Sequence, residues 1–242
     1  MEHARKVGRP VLGPVEEAFK RWAVPQVPLW CETQHLTGLT AIWSVLAFLV
    51  ALASSHSRVA VLVLIPLIVL QYVTDVLDGA VGRLRDTGLV RWGFYFDHIL
   101  DFVFMSCAMA VWTVGMLPHI GAWAILLPFA PLGCFFHAFL FSGAKDEFCV
   151  YYNGIGPTEG RLWLIFMSGL LALCPVSWIV GAVVGAVAIP TMALVVLVAQ
   201  AHLDLWEADL HDREWPHAPF ESISRKIIEL RRTKKGPIDR CG

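Results

Sequence analysis

Six apolar runs, each long enough to cross a bilayer, recur near 36–54, 58–77, 94–116, 120–141, 161–178 and 180–203. A bilayer core takes about 17–25 residues of helix. In hydrocarbon each backbone N–H and C=O must be satisfied by its own segment or a closed sheet, so repeated runs of this length imply helices. The predicted fold class is therefore all-α. It is a polytopic membrane protein with six transmembrane helices and N- and C-terminal interfacial or cytoplasmic segments. The domain plan is an N-terminal segment over 1–27, a membrane domain over 28–203 and a basic tail over 204–242. Composition agrees: 57% of the residues are hydrophobic and 16% charged, whereas soluble domains carry about 25% charged residues. The last two runs are fused, and Cys174, Pro175 and Ser177 mark the turn between them. Pro190 should kink the sixth helix, which neighbouring helices accommodate.

Positive charge sets the orientation. With six spans, all of the 19 Lys and Arg except Arg58 fall on one side. Five or seven spans would split the basic ends across the membrane. Both termini are thus expected in the cytoplasm, together with the loop that joins spans two and three. Residues 1–30 carry no continuous apolar run behind their basic start, so no cleavable signal peptide is expected. Residues 11–24 mix apolar and charged positions and are expected to lie in the interface. Residues 219–235 form either a lipid-facing basic helix or a solvated tail. The six cysteines are scattered and read as free thiols. No nucleic-acid partner is expected.

Four aspartates, Asp75, Asp78, Asp97 and Asp101, straddle the end of the second run and the start of the third. Asp75 and Asp78 are three apart and Asp97 and Asp101 four apart, so each pair shares a helix face. Asp75 and Asp78 also lie at a helix C-terminus, whose dipole disfavours acids by roughly 0.3–1 kcal/mol each. Such a cluster calls for protonation or for a multivalent cation. Hard oxygen ligands suit Mg²⁺, Mn²⁺ or Ca²⁺ and not zinc, and two such ions are the usual apparatus of phosphoryl transfer. Gly79 and Gly82 allow close backbone approach. Arg83 would fork onto a phosphate, with Arg85 as its rival.

These residues resemble the signature of the CDP-alcohol phosphotransferases, D-x2-D-G-x2-A-R-x8-G-x3-D-x3-D. The chain reads Asp75-x2-Asp78-Gly79-x2-Gly82-Arg83-x9-Gly93-x3-Asp97-x3-Asp101, matching every fixed position but one. Gly82 replaces the alanine, and the spacer holds one residue more. An extra residue rotates a continuous helix by about 100°, so it must be absorbed in the 86–92 loop, with Gly88 the expected place. Six spans with cytoplasmic ends is also that family's layout. FDHILD (96–101) and NGIGPTEGR (153–161) are similar to segments of its choline/ethanolamine branch.

The resemblance implies a divalent-metal enzyme of phospholipid synthesis, holding two Mg²⁺ or Mn²⁺ ions. It would transfer a substituted phosphate from a CDP-linked donor to an alcohol and release CMP. Asp75, Asp78, Asp97 and Asp101 would ligate metal, and Asp101 would also act as base. Thr37, Asp78, Gly79, Gly82 and Arg83 would meet the nucleotide. The lipid is either CDP-diacylglycerol as donor or diacylglycerol as acceptor, and a homodimer is implied. His98 points about 100° from both neighbouring acids; it assists catalysis, holds an acid or merely packs. Glu159 and Arg161 either contact the acceptor or form a helix-start pair. His137 and His202 read as packing residues. Two other readings stay open: a cation transporter that uses the acids as its ion site, and an inactive homologue. Reporter domains fused to either end should both score as cytoplasmic; a split result would overturn the six-span layout.

Overall fold

The computed structural model describes residues 11–86, 89–145 and 156–212. Among them there is no strand. The helices are α1 (Gly13–Ala23), α2 (Thr33–Ser54), α3 (Leu64–Arg85), α4 (Val90–Ile120), α5 (Phe129–Lys145), α6 (Pro157–Leu173) and α7 (Ile179–Asp212). Short 3₁₀ turns precede α3, α5 and α7. The expected tail at 213–242, including 219–235, lies outside the described residues, as do Gly88 and the segment 146–155.

Local chemistry sets the boundaries. Pro14 and Pro157 sit in the first turns of α1 and α6, where the missing N–H has no helical partner to lose. The backbone N–H of Glu32 donates to His35 Nδ1 at 3.1 Å, closing the start of α2. Asp86 ends α3 in the left-handed conformation, φ 49°, which aspartate tolerates better than most residues. Gly121, φ 58°, ends α4. That break changes the fourth apolar run: residues 121–126 form a 3₁₀ turn and regular helix resumes only at Phe129. The turn between the fifth and sixth runs falls where Cys174 and Pro175 indicate. α7 passes through Pro190 and continues beyond 203, to Asp212.

Side-chain pairs fix the helix directions. Thr37 meets Asp78 and Trp43 meets Thr74, so α2 and α3 are antiparallel. Ser54 meets Val111, pairing the ends of α2 and α4 that lie away from the aspartates. Trp112 meets Ser168 while Asp101 approaches Arg161, so α4 and α6 are parallel. Cys134 meets Pro190 and Lys145 meets Asp204, so α5 and α7 are parallel. Phe102 meets Phe135 and His98 meets Phe139, setting α5 against α4. Helices α2, α4 and α6 thus run one way and α3, α5 and α7 the other. Four helical stretches are long and apolar enough to cross a membrane: Thr33–Ser54, Arg58–Arg85, Arg91–Lys145 and Val176–Asp209. The third contains both α4 and α5. Helix α6, with 17 residues, spans roughly 26 Å at about 1.5 Å per residue.

α2 carries the packing. Beside Leu36, its buried residues are Thr33, Thr37, Thr40, Ser44, Ala47, Ala51 and Ser54, small side chains alternately four and three apart. Large side chains, among them Ile42, Val45, Phe48, Leu49 and Leu52, point outward. Water would impose the reverse pattern. Helices that associate in lipid put small residues at their contacts, because close backbone approach and not apolar burial drives them together. The far end of the bundle is closed by Arg58, whose Nη1 donates to the Leu171 and Cys174 carbonyls at 3.3 and 2.7 Å. It caps the C-terminus of α6, where carbonyls lack helical partners.

Ala47 is 0% exposed and Leu49 53%. Ala47→Leu should lower the thermal unfolding midpoint in detergent, at a cost of about 1–3 kcal/mol for overpacking. Leu49→Ala should leave the midpoint nearly unchanged. Equal effects would mean that α2 does not bury this face.

Candidate metal centre

The aspartates meet where α3 ends and α4 and α6 begin. One carboxylate oxygen from each of Asp75, Asp97 and Asp101 lies within 4.8 Å of the other two. Asp75 belongs to α3, and the other two lie one turn apart on α4. The left-handed Asp86 makes the turn that brings α4 back alongside. α3 and α4 are separate helices, so no rotation is carried from one to the other; Gly88, the expected place of the extra spacer residue, lies outside the described residues.

Asp78 is next to this group and not within it. It is 5% exposed and contacts Asp97. The Thr37 hydroxyl donates to Asp78 Oδ2 at 2.9 Å, and the Thr33 hydroxyl donates to the Asp78 carbonyl at 3.2 Å. Thr37, expected at the nucleotide, is at the site and holds an acid. Gly82 makes that approach feasible: a Cβ there would sit 2.7 Å from Thr33 Oγ1. An alanine, the residue of the resembled signature, would therefore crowd Thr33.

The two candidate arginines separate. Arg85 Nη1 donates to the Cys31 carbonyl at 2.7 Å, and Nη2 donates to Val27 and Pro28 at 2.9 and 3.2 Å. Its guanidinium anchors the segment entering α2. Arg83 is exposed and folds over Gly79, its Nη1 3.3 Å from where a Cβ would stand. Gly79 thus leaves room for that guanidinium beside α3.

Arg161 and Glu159 also part. Glu159 accepts from the Gly156 N–H at 2.9 Å and from the Leu12 N–H at 3.1 Å. It caps α6 and ties α1 to it, helped by Thr158 donating to Glu16 Oε2 at 2.9 Å. Arg161 turns inward, its side chain 13% exposed. Its Nη2 is 2.7 Å from Asp75 Oδ2 and 3.8 Å from Asp101 Oδ2, and its face lies over Tyr72. His98 lies at the edge of the cluster: Nδ1 is 2.6 Å from the Phe94 carbonyl and 3.7 Å from Asp97 Oδ2, and its ring packs on Phe94 and Phe139.

Gln71 was not among the residues singled out from sequence. Its Nε2 donates to Asp101 Oδ1 at 2.6 Å, and its Oε1 accepts from Arg161 Nε at 3.0 Å. The available signal was spacing: an amide inside an apolar run, four residues before Asp75, shares that helix face.

Chemically, three oxygen donors converge at the end of an apolar bundle with one fixed guanidinium against them. Such a set is hard and anionic, fit for a cation that prefers oxygen. Comparisons with family models, with curated proteins and with solved structures find no match to this chain.

Gly82→Ala should destabilise the chain by about 1–3 kcal/mol through overpacking against Thr33. Thr33→Ala in the same chain should recover part of that loss, because it removes the crowded hydroxyl. Thermal midpoints of the single and double variants check this; purely additive losses would mean that the two residues do not touch.

Proposed function

We propose that this chain is an integral membrane phosphotransferase. It moves a substituted phosphate from a CDP-activated donor to an acceptor alcohol, releases CMP, and takes its lipid partner directly from the bilayer. The observation that carries this is the convergence of Asp75, Asp97 and Asp101 within 4.8 Å, in the spacing that resembles the CDP-alcohol phosphotransferase signature. The alternating directions of α2 to α7 support six spans, and the distribution of Lys and Arg puts both ends, and the site, on the cytoplasmic side. α1 then lies along the surface, with Val11, Val15 and Trp22 exposed on one face.

Asp75, Asp97 and Asp101 fit Mg²⁺ or Mn²⁺, with Asp78 beside them. When bound, the metal supplies charge neutralisation for a pyrophosphate and its leaving group. The chain's own residues do the rest. Arg83 at the mouth, and Arg161 within, offer planar donors for phosphate oxygens. Asp101 takes the proton from the acceptor hydroxyl. The alcohol oxygen forms a bond to the β-phosphorus, the bond from that phosphorus to the bridging oxygen breaks, and CMP departs with the electron pair. Thr37 and Thr33 hold Asp78 and its backbone, so the acid closest to the nucleotide side is positioned before substrate arrives.

Purified protein, given Mn²⁺ or Mg²⁺ and a panel of CDP-linked donors and alcohols, should release CMP from at least one pair. EDTA should abolish the release, and Asp101→Asn should lower kcat by about 10²–10⁴-fold, the usual weight of a general base. No CMP from any pair would sink the transferase. Undiminished release by Asp101→Asn would remove Asp101 as base.

A further inference from the structure

Gln71 is an amide buried in an apolar helix bundle, 2% exposed. Burying such a group without partners is costly, yet both of its ends are matched. A guanidinium N–H can only donate, so Arg161 Nε, 3.0 Å away, faces the amide oxygen. A carboxylate accepts, so Asp101 Oδ1, 2.6 Å away, faces the amide nitrogen. The partners therefore fix the amide's orientation. Arg161 also reaches Asp75 at 2.7 Å, so one unbroken chain of bonds joins Asp75, Arg161, Gln71 and Asp101 across α3, α6 and α4.

We propose that Gln71 is a positioning residue that sets the plane of the Asp101 carboxylate at the metal centre. The terminal torsion of an aspartate is broad and nearly two-fold, so a rotamer alone leaves that plane unset. The bond from Gln71 engages Oδ1 and leaves Oδ2 turned toward Arg161, 3.8 Å away. Asp101 then presents one oxygen to a cation and keeps it there when Arg161 moves to a phosphate. The role needs a donor at one end and an acceptor at the other, which Met cannot supply. It rests on the metal-centre reading of the aspartates, and not on which alcohol is transferred.

The test is a double-mutant cycle read by Mn²⁺ binding to the full chain in detergent, followed by electron paramagnetic resonance. Partners that orient a metal ligand are generally worth about 10–100-fold in affinity or activity. Gln71→Met should weaken Mn²⁺ binding about ten-fold or more, and the loss should fall below about two-fold in an Asp101→Asn background, because Gln71 acts through Asp101. Equal losses in both backgrounds, no loss in either, or a wild type that binds no Mn²⁺ would overturn the proposal. If Gln71→Met does not fold, Gln71→Asn takes its place; it keeps a buried amide one methylene short of Asp101, and the same cycle decides. CMP release measured on the same proteins separates the two ideas. A coupled Mn²⁺ cycle without CMP release leaves Gln71 in its role and removes the transferase.

Discussion

One guanidinium stands against three carboxylates at the end of this bundle. Two like charges about 5 Å apart repel by about 3 kcal/mol at an effective dielectric near 20. The three oxygens of Asp75, Asp97 and Asp101 form three such pairs, and Arg161 offers a single charge in return. Its placement, 2.7 Å from Asp75 and bonded to Gln71, is what draws the start of α6 onto α3. Glu159, two residues earlier, then caps the same helix and ties α1 to it. The arrangement is balanced in geometry and short of positive charge, which is the state expected of a site that takes a cation from solution and releases its arginine to an anion. Loss of one partner of a buried pair usually costs more than the pair contributes, so Arg161 is part of what holds α6 to α3.

That charge problem is solvable only because the helices come close. The small face of α2 brings α3 and α4 to it, and Gly82 lets Thr33 approach until no Cβ would fit. Thr37, one turn on, then reaches Asp78. Packing and site are therefore the same contact seen at two depths. Small residues that substitute for apolar driving force in lipid also deliver hydroxyls to an acid. The other end needs nothing of the kind. It is closed by Arg58 on α6 carbonyls, and its chemistry stops there.

Much of this was legible in the sequence for identifiable reasons. Apolar run lengths located α2, α3 and α4, because helix length in lipid is set by thickness. The aspartate spacings anticipated two faces, because three and four residues make a helical turn. What could not be read were contacts between distant segments. Arg161 and Asp75 are 86 residues apart, and Glu159 and Leu12 are 147 apart; no local pattern records either. The pair Glu159 and Arg161 looked like one feature and became two, since residues two apart on a helix face different ways. Gln71 was overlooked because a lone amide in an apolar run has no motif, although its register with Asp75 pointed to it. The fourth run misled at its start because Gly121 and Pro128 interrupt helix without interrupting hydrophobicity.

The long spacer gains its meaning from where α3 ends. In one continuous helix an added residue would swing Asp97 and Asp101 off the face of Asp75 by about 100°. Asp86, in the left-handed conformation, stops α3 before that rotation can be transmitted, and α4 begins afresh at Val90. The interval inside each helix sets which acids share a face, and the interval between the helices does not. The two arginines near that break have different surroundings. Arg85, at the last turn, is bound to the carbonyls of Val27, Pro28 and Cys31 and braces the entry to α2. Arg83, half a turn earlier, is exposed and lies on the side of Gly79. Helix geometry fixes the relation of Asp75 to Asp78, and of Asp97 to Asp101, on each side of the turn, whatever the length of the connection.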